Sequence, residues 1–525
     1  MSDGTGPSSV AFEPAGRSAK VPRGSTLLAA AAGAGIIVPA PCGGRGACGR
    51  CAVEVLEGAL EPPDERESAA LARAKVGVTH VRLACMARVA GDVRVRPLVT
   101  AARVTSVATA QDGTRVVAGV DLGTTSVAVQ LIDVTSRAVL GSARVANRQA
   151  SFGADVLSRI AAALAGSRET LRTVAEDSIL EAIALARGDR PASALPVERV
   201  VVAGNTAMIS LLAGADVSRL ASHPFSHALA GVDRLDGGTL AEGLDGADIL
   251  LVPPVAAFVG GDLVAGLIAE GLAEEATGTL FIDLGTNAEV AALTEAGLVV
   301  ASAPAGPAFE GWGIACGGQA GPGGVVRVRP DEAGEGLRSV TDEGPPSHLT
   351  GSGLLSAVAS LRRSGHLDAD GLFQPEGPAR SRVFDRDGVL AISLGEDPRD
   401  RRVFVSQLDV RALQSAKAAV CVAIKAVASA AGAGALRDVI VTGAFGGAVE
   451  AADLVDLGIV PAGADIVLRT APEAALRGAA MMALDPYLLE DALALVARAA
   501  HVDLAAGESF ANQFVAALRL EPYSI

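Results

Sequence analysis

Residues 119–126, GVDLGTTS, recur 162 residues later as residues 281–288, FIDLGTNA. Each copy is an apolar run, typical of a buried strand, that ends in Asp-Leu-Gly-Thr and is followed by more strand-like sequence. Asp121 and Asp283 occupy equivalent places in the two copies. An internal echo of this kind predicts two related halves that face a shared cleft.

The turn that follows each of these strands suits a phosphate group. Glycine after a strand lets the backbone N–H groups of the turn point at phosphate oxygens, and hydroxyl or amide side chains add hydrogen bonds. The candidate phosphate-binding residues are Gly123, Thr124, Thr125, Gly285, Thr286 and Asn287. Asp121 and Asp283 are predicted to hold hydrated Mg²⁺ or to position water. Our hypothesis is that Asp283 orients the attacking water and Asp121 binds Mg²⁺ through water, and the reverse assignment stays open.

A third element, residues 439–447, reads VIVTGAFGG and is a strand that runs into a turn of small residues. Such a turn lets the backbone pack against a flat adenosine, which makes Gly443, Ala444 and Gly446 candidate nucleotide contacts. The alternative is an ordinary strand–helix turn. A P-loop is excluded, because none of the four lysines follows a glycine as the motif G-x-x-x-x-G-K-[ST] requires.

The composition of the 525-residue chain indicates a large α/β protein. Half of the residues are apolar, and strand-like runs alternate with alanine-rich helical runs. A net charge of −15 with 3% aromatic residues makes nucleic acid a poor partner. The N-terminus does not resemble a signal peptide, and no apolar stretch has the length and character of a membrane span. We therefore expect a cytoplasmic protein with no membrane partner.

Four of the six cysteines, Cys42, Cys48, Cys51 and Cys85, have the spacing C-x5-C-x2-C-x33-C. Four thiolates are the ligand set of a [2Fe–2S] cluster, and the glycines among the first three cysteines allow a loop to wrap around it. Structural zinc and unliganded thiols are the alternatives. Cys421 and Cys316 are predicted to be packing residues, with a site role left open for Cys316.

The order of elements around the cysteines is strand, strand, helix and strand with a late helix, which is compatible with a small β-grasp domain. The predicted organisation is a [2Fe–2S] domain at 1–96, a linker at 97–115 and an ATPase domain at 116–525. Within the ATPase domain we predict lobes at about 116–278 and 279–485, followed by a C-terminal segment at 486–525.

The two phosphate turns together with the Thr-Gly-Ala-Phe-Gly turn resemble the ATPase superfamily of actin, sugar kinases and heat-shock chaperones (ASKHA). With a [2Fe–2S] domain in front of it, the chain resembles the reductive activators of corrinoid proteins. The stretches that carry this resemblance, besides the motifs above, are GNTAM at 204–208, FVGGD at 258–262, AGPAFEG at 305–311, TGSG at 350–353 and AKA at 416–418. One departure is the short connection between the two domains, where larger members of the family carry a linker and an extra domain.

The resemblance implies a β-grasp [2Fe–2S] ferredoxin-like domain joined to a two-lobed, actin-like, ribonuclease H-like ATPase domain. It implies a [2Fe–2S] cluster, ATP and Mg²⁺ as cofactors, and one-electron reduction of an inactive Co(II) corrinoid to Co(I). The partners would be a corrinoid protein or corrinoid-dependent methyltransferase and an upstream electron donor, with a homodimer left open. Glu310, within a matching stretch, is a second-tier candidate for phosphate or partner contact, with a plain turn residue as the alternative, and Lys417 is a further second-tier site residue.

Three other functions remain open at the level of sequence. The first is an ATP-dependent electron donor to another low-potential radical enzyme, which four cysteines in one N-terminal domain disfavour. The second is a redox-sensing kinase of the ASKHA superfamily, which would need a substrate pocket with a base that the sequence does not reveal. A non-enzymatic redox-controlled binding module is a third alternative, and ATPase activity would exclude it.

Overall fold

The computed structural model describes residues 7–13, 16–34, 36, 38, 46, 51–74, 80–97, 103–105, 114–153, 155–190, 192–235, 238–273, 278–295, 297–318, 321–330, 337–341, 343–376, 380–395, 400, 402–432, 436–443, 449–463, 465–504 and 510–525. Two compact units are formed, one by residues 1–251 with 482–484 and the other by residues 252–481 with 485–525.

The N-terminal part of the first unit is a small mixed sheet with two helices. Its elements are β1 (Ser8–Phe12), β2 (Arg17–Val21), α1 (Leu27–Gly33), β3 (Ala52–Leu60), α2 (Glu65–Ala74), β4 (Val81–Leu83) and β5 (Val89–Pro97). The strand order, within the described ranges, is β2-β1-β5-β3-β4, with β1 parallel to β5. Phe12, Leu27 and Leu83 are fully buried between sheet and helices. This confirms the predicted β-grasp fold.

The rest of the first unit is built on a second sheet. Its elements are β6 (Arg103–Thr105), β7 (Val116–Leu122), β8 (Ser126–Asp133), β9 (Val139–Ala146), α3 (Val156–Ala162), α4 (Arg168–Arg187), β10 (Val197–Gly204), α5 (Thr206–Leu212), β11 (Asp233–Arg234), α6 (Thr239–Glu242) and β12 (Asp248–Leu251). The described strands are ordered β11-β12-β10-β7-β8-β9-β6. The predicted linker at 97–115 is thus not wholly a linker, because β6 pairs with β9 and extends this sheet.

The second unit, like the first, contains a sheet with a hairpin at its centre. Its elements are α7 (Gly261–Ala269), β13 (Thr279–Leu284), β14 (Ala288–Thr294), β15 (Gly297–Ala303), β16 (Gly324–Pro330), β17 (Leu337–Thr341), β18 (His348–Leu349), α8 (Gly351–Arg363), β19 (Val383–Arg386), β20 (Val389–Ser393), β21 (Phe404–Ser406), α9 (Gln407–Ala431), β22 (Asp438–Gly443), α10 (Ala451–Asp456), β23 (Val467–Thr470), α11 (Ala474–Leu484), α12 (Tyr487–Arg498), β24 (Ala499–His501) and α13 (Phe510–Ala516). Its main sheet, as far as the strands are described, runs β23-β22-β13-β14-β15-β24.

The two compact units divide at residue 251, and the lobe boundary near 278 stays a prediction. The place of the division follows from the packing of α7, which begins at Gly261. A Cβ atom on Gly266 would come within 2.7 Å of the Phe281 ring, and one on Gly478 would come within 1.8 Å of the Ala265 carbonyl oxygen. Helix α7 therefore packs tightly on β13 and α11 and belongs to the second unit.

Helix α9 is the one helix, among the residues searched, that is long and apolar enough to cross a membrane by length and composition. Of its most apolar window, 72% is buried inside the protein. Its side chains Leu413, Val420 and Val427 belong to the core over the main sheet of the second unit. This burial is typical of a central core helix.

Candidate functional site

The first Asp-Leu-Gly-Thr sequence forms the hairpin between β7 and β8. Asp121 pairs across the hairpin with Ala128, and in the parallel direction with Ala203 of β10. Gly123 is required at the turn, because a Cβ atom there would lie 2.8 Å from the Ser126 carbonyl oxygen. Asp121, Gly123, Thr124 and Thr125 are half-buried, which leaves part of the turn accessible to a ligand.

Two fully buried side chains that the sequence did not identify, Asn147 and Arg159, hold this turn from behind. Asn147 Nδ2 donates to the Gly123 carbonyl at 2.8 Å, and the Asn147 backbone N–H donates to the Thr125 carbonyl at 2.9 Å. Arg159 Nη2 donates to the Thr124 carbonyl at 2.6 Å. Three consecutive carbonyls of the turn are thus bound to protein, an arrangement that suits a preorganised anion site.

Arg159 also donates through Nε to the Gly153 carbonyl at 3.0 Å and contacts the Met208 sulfur through Nη1 at 3.1 Å. It therefore ties the turn to α3 and to the GNTAM stretch at the start of α5. The only signal in the sequence was an arginine on the apolar face of a predicted helix.

We expect Arg159→Met to weaken ATP binding by about tenfold and to lower the Tm. The substitution keeps the apolar stem but leaves the Thr124 and Gly153 carbonyls without this donor, at about 1–3 kcal/mol per buried group. Calorimetric titration with ATP and thermal denaturation measure the two effects. Arg168→Met, at an exposed position at the start of α4, is the matched control. Unchanged ATP affinity in Arg159→Met would show that the turn does not depend on this anchor.

The second Asp-Leu-Gly-Thr sequence forms the hairpin between β13 and β14. Asp283 pairs across it with Glu289, and Leu284 pairs with Ala288. Gly285, Thr286 and Asn287 at its tip are half-buried, as is Asp283. Both predicted turns therefore have the same hairpin geometry, each at the end of a central strand in its own unit.

The third predicted element lies beside the second turn. Strand β22 is parallel to β13, with Thr442 opposite Asp283 and Gly443 opposite Leu284. Gly443 has a φ of 134°, and a Cβ atom there would lie 2.1 Å from the Leu284 carbonyl oxygen, so only glycine fits. Ala444 and Gly446 lie outside the described residues.

The second-tier residues have different surroundings. Glu310 Oε1 accepts hydrogen bonds from the Thr286 backbone N–H at 2.8 Å and from Thr286 Oγ1 at 2.7 Å, directly on the second turn. Lys417 is buried on α9, where its ammonium donates to the Arg519 carbonyl in the C-terminal segment. Burial lowers the pKa of Lys417 to about 8. A nucleotide role for Lys417 stays a prediction.

A pair of carboxyl groups beside Asp283 was also missed. Asp262, in the first turn of α7, hydrogen-bonds to the side chain of Glu289, and Glu289 Oε1 also accepts from the Gly260 N–H at 3.3 Å. Removal of water raises the pKa of Asp262 to about 6. Loss of hydration, together with the charges of Asp262 and Asp283, raises the pKa of Glu289 further. Burial and the neighbouring carboxyl groups therefore both disfavour the ionised form of Glu289.

The sequence contained a signal for this pair. When the two repeated segments are extended by one residue, Glu289 aligns with Val127. A carboxyl group therefore replaces an apolar residue at a buried strand position. Asp262 closes the stretch FVGGD at 258–262. The Asp262 and Glu289 carboxyl groups extend the acidic end of this strand beside Asp283.

The raised pKa of Asp262 predicts how stability changes with pH. The folded state holds this proton more tightly than the unfolded chain, so its stabilising effect is present below about pH 4 and is lost as the pH rises through about 6. We expect Asp262→Asn to raise the Tm relative to the unmodified protein at pH 8, and to do so less at pH 5.5. The exposed Glu490→Gln is the control. An equal shift at both pH values in thermal denaturation would contradict the assignment.

Two of the four predicted cluster ligands lie in the described residues. The Sγ atoms of Cys51, at the start of β3, and Cys85, just after β4, are 3.2 Å apart, and both residues are buried without a disulfide between them. Two buried thiols at this separation fit a shared iron. Cys42 and Cys48 lie outside the described residues.

The remaining two cysteines have packing environments. Cys421 is buried in α9, and its thiol lies beside the Tyr523 hydroxyl. The Cys316 thiol donates to the Phe404 carbonyl at 2.9 Å and is half-buried. These contacts accord with the packing role predicted for both.

Three family models match successive parts of the chain. Residues 10–90 match the 2Fe-2S iron-sulfur cluster binding domain, residues 116–275 match the RACo middle region, and residues 277–524 match the C-terminal domain of RACo, the ASKHA domain.

Two curated proteins and one solved structure are similar to the chain. The corrinoid activation enzyme RamQ of Eubacterium limosum is 29% identical over 416 residues, 75% of this chain and 68% of that protein. The [Co(II) methylated amine-specific corrinoid protein] reductase of Methanosarcina barkeri is 27% identical over 221 residues, 40% of each protein. The structure titled reductive activator for corrinoid, iron-sulfur protein superposes with a TM-score of 0.71 at 24% identity and covers 98% of both chains, which shows a shared fold.

Proposed function

Because this chain belongs to the RACo family, with its Fer2, middle and ASKHA domains in their family order, we propose that it is an ATP-dependent reductive activator of a corrinoid protein. The proposed reaction transfers one electron to the inactive Co(II) corrinoid of a methyltransferase system and restores Co(I). The observation that carries the proposal is the presence, in one chain, of a domain that matches the 2Fe-2S cluster binding family and of two Asp-Leu-Gly-Thr hairpin turns. The named activities of RamQ and of the methylated-amine corrinoid protein reductase support it.

The cysteines of the N-terminal domain are proposed to hold the redox cofactor. A [2Fe–2S] cluster supplies one-electron chemistry, and Cys42, Cys48, Cys51 and Cys85 would hold it. The buried Cys51 and Cys85 keep their side of the site away from water. Because cluster hydration and nearby hydrogen bonds tune the potential, burial favours a defined potential for electron release.

The residues of the ATPase domain bind and position nucleotide. We propose that the turns at 123–125 and 285–287 bind phosphate through their N–H groups and side chains. Gly443, Ala444 and Gly446 would form the adenosine side. Asp283 would orient the attacking water, and Asp121 would bind Mg²⁺ through water. Comparison of Asp121→Asn with Asp283→Asn distinguishes this assignment from the reverse one.

ATP can shift a conformational equilibrium only by its difference in affinity for the two states. For one electron, about 59 mV corresponds to a factor of ten in the equilibrium constant. A modest difference in affinity for the corrinoid partner in the two states would therefore suffice to make an uphill reduction proceed. We place this reaction in the cytoplasm, with an upstream electron donor that reduces the protein.

The test is anaerobic. Reduced protein is mixed with a Co(II) corrinoid protein, and the Co(I) absorption spectrum is followed with and without MgATP. We expect ATP-dependent formation of Co(I). If no Co(I) forms with several Co(II) corrinoid proteins while ATP hydrolysis proceeds, an electron donor to a different radical enzyme becomes the better assignment.

A further inference from the structure

Glu310 occupies a place on the second turn that suits a phosphate. One of its oxygens, Oε1, accepts from both the backbone N–H and the hydroxyl of Thr286, at 2.8 and 2.7 Å. The same oxygen lies 3.6 Å from where a Cβ atom on Gly285 would be, so it sits directly over the turn. An anionic oxygen that takes two donors at such distances is a strong, charge-assisted acceptor.

A phosphate oxygen at this turn would need the same two donors. We propose that Glu310 is an internal competitor for the phosphate site at Thr286, and that nucleotide binds by displacing its carboxylate. Both occupants are anions, so they repel one another at this distance and exclude each other from the turn. The inference rests on the proposed binding of nucleotide phosphate at this turn.

Glu310 lies at the end of a short helical turn between two glycines. The turn is a 3₁₀ helix, Pro307–Glu310, flanked by Gly306 and Gly311. Both glycines have a φ of 78°, in the left-handed region that glycine adopts readily. Glu310 is only half-buried, so the carboxylate can move to water when it leaves Thr286.

The segment that carries Glu310 contacts other parts of the second unit. A Cβ atom on Gly351, the first residue of α8, would come within 1.7 Å of the Phe309 carbonyl oxygen. Phe309 is buried in the core of this unit, and the Gly306 N–H donates to the Thr286 carbonyl at 2.8 Å. The segment 306–311 thus contacts both the turn and the N-terminus of α8.

The test compares MgATP binding to the full-length protein, Glu310→Gln and Glu310→Ala by isothermal titration calorimetry. Glu310→Gln keeps the shape but removes the charge, and we expect its Kd for MgATP to fall about tenfold, the effect of a 1.4 kcal/mol change. Glu310→Ala should bind at least as tightly as Glu310→Gln. The exposed Glu295→Gln, on the β14–β15 turn of the same unit, controls for general charge removal.

A second measurement separates competition from a supporting role. We expect Glu310→Ala to lower the Tm of the nucleotide-free protein, because it loses both bonds to Thr286, and to leave the Tm at saturating MgATP within about 1 °C of the unmodified protein. Weaker or unchanged MgATP binding in both variants would overturn the proposal and indicate that Glu310 orients Thr286 for the ligand. Absence of MgATP binding to the unmodified protein would instead contradict the proposed function.

Discussion

Cys85→Ser is expected to abolish ATP-dependent reduction of a Co(II) corrinoid protein, with a loss on the order of 100-fold or more, while ATP hydrolysis continues. The Cys85 thiol lies 3.2 Å from that of Cys51, so its loss removes one of two adjacent ligands. A serine hydroxyl is a poor replacement for a soft thiolate at iron. On one preparation, visible absorption measures cluster content, the Co(I) spectrum measures corrinoid reduction, and phosphate release measures ATP hydrolysis.

The matched control for this substitution is Cys421→Ser. Cys421 is equally buried but lies in α9, in the second unit, where its surroundings are apolar. It should keep the cluster spectrum and the reduction rate, with only a loss of stability. If Cys85→Ser retained the cluster and full reduction, the thiolate assignment and the electron path proposed from it would both be wrong.

The second large effect is expected for Asp283→Asn, which should lower the kcat of ATP hydrolysis by about 10²–10³-fold. Asparagine keeps the size of the side chain and the β13–β14 pairing but cannot accept a proton or orient water as a carboxylate does. Because the phosphate contacts are proposed to come from the turn beyond Asp283, the Kd for ATP should change only a few-fold. Single-turnover hydrolysis and calorimetric titration separate the two parameters.

Asp438→Asn is the control for this prediction, since Asp438 is exposed at the far end of the neighbouring strand β22. Asp121→Asn, measured in parallel, tests the assignment of roles. A Mg²⁺-linked loss of ATP affinity in Asp121→Asn, with hydrolysis lost in Asp283→Asn, is the expected pattern. The opposite pattern would exchange the roles of the two aspartates.

The β-grasp domain, the two hairpin turns and the strand leading to Gly443 could all be predicted from sequence. These features are local: a strand followed by Asp-Leu-Gly-Thr, or thiols spaced along a glycine-rich loop, carry their chemistry within a few residues. Gly443 illustrates the limit. The sequence predicted that Gly443 lies at a turn after a strand. It did not predict that Gly443 pairs with Leu284 of the neighbouring strand.

The sequence by itself therefore predicted which residues bear the chemistry, namely four cysteines, two aspartates and the turns beside them. Only the tertiary structure decided how that chemistry is held and controlled. Arg159 and Asn147 anchor the first turn, the Asp262 and Glu289 carboxyl groups are buried together beside Asp283, and Glu310 accepts two hydrogen bonds from Thr286. The physical reason is that each of these contacts joins segments distant in the chain. Their distances and hydration depend on how sheets and helices pack, which no local pattern of residues specifies.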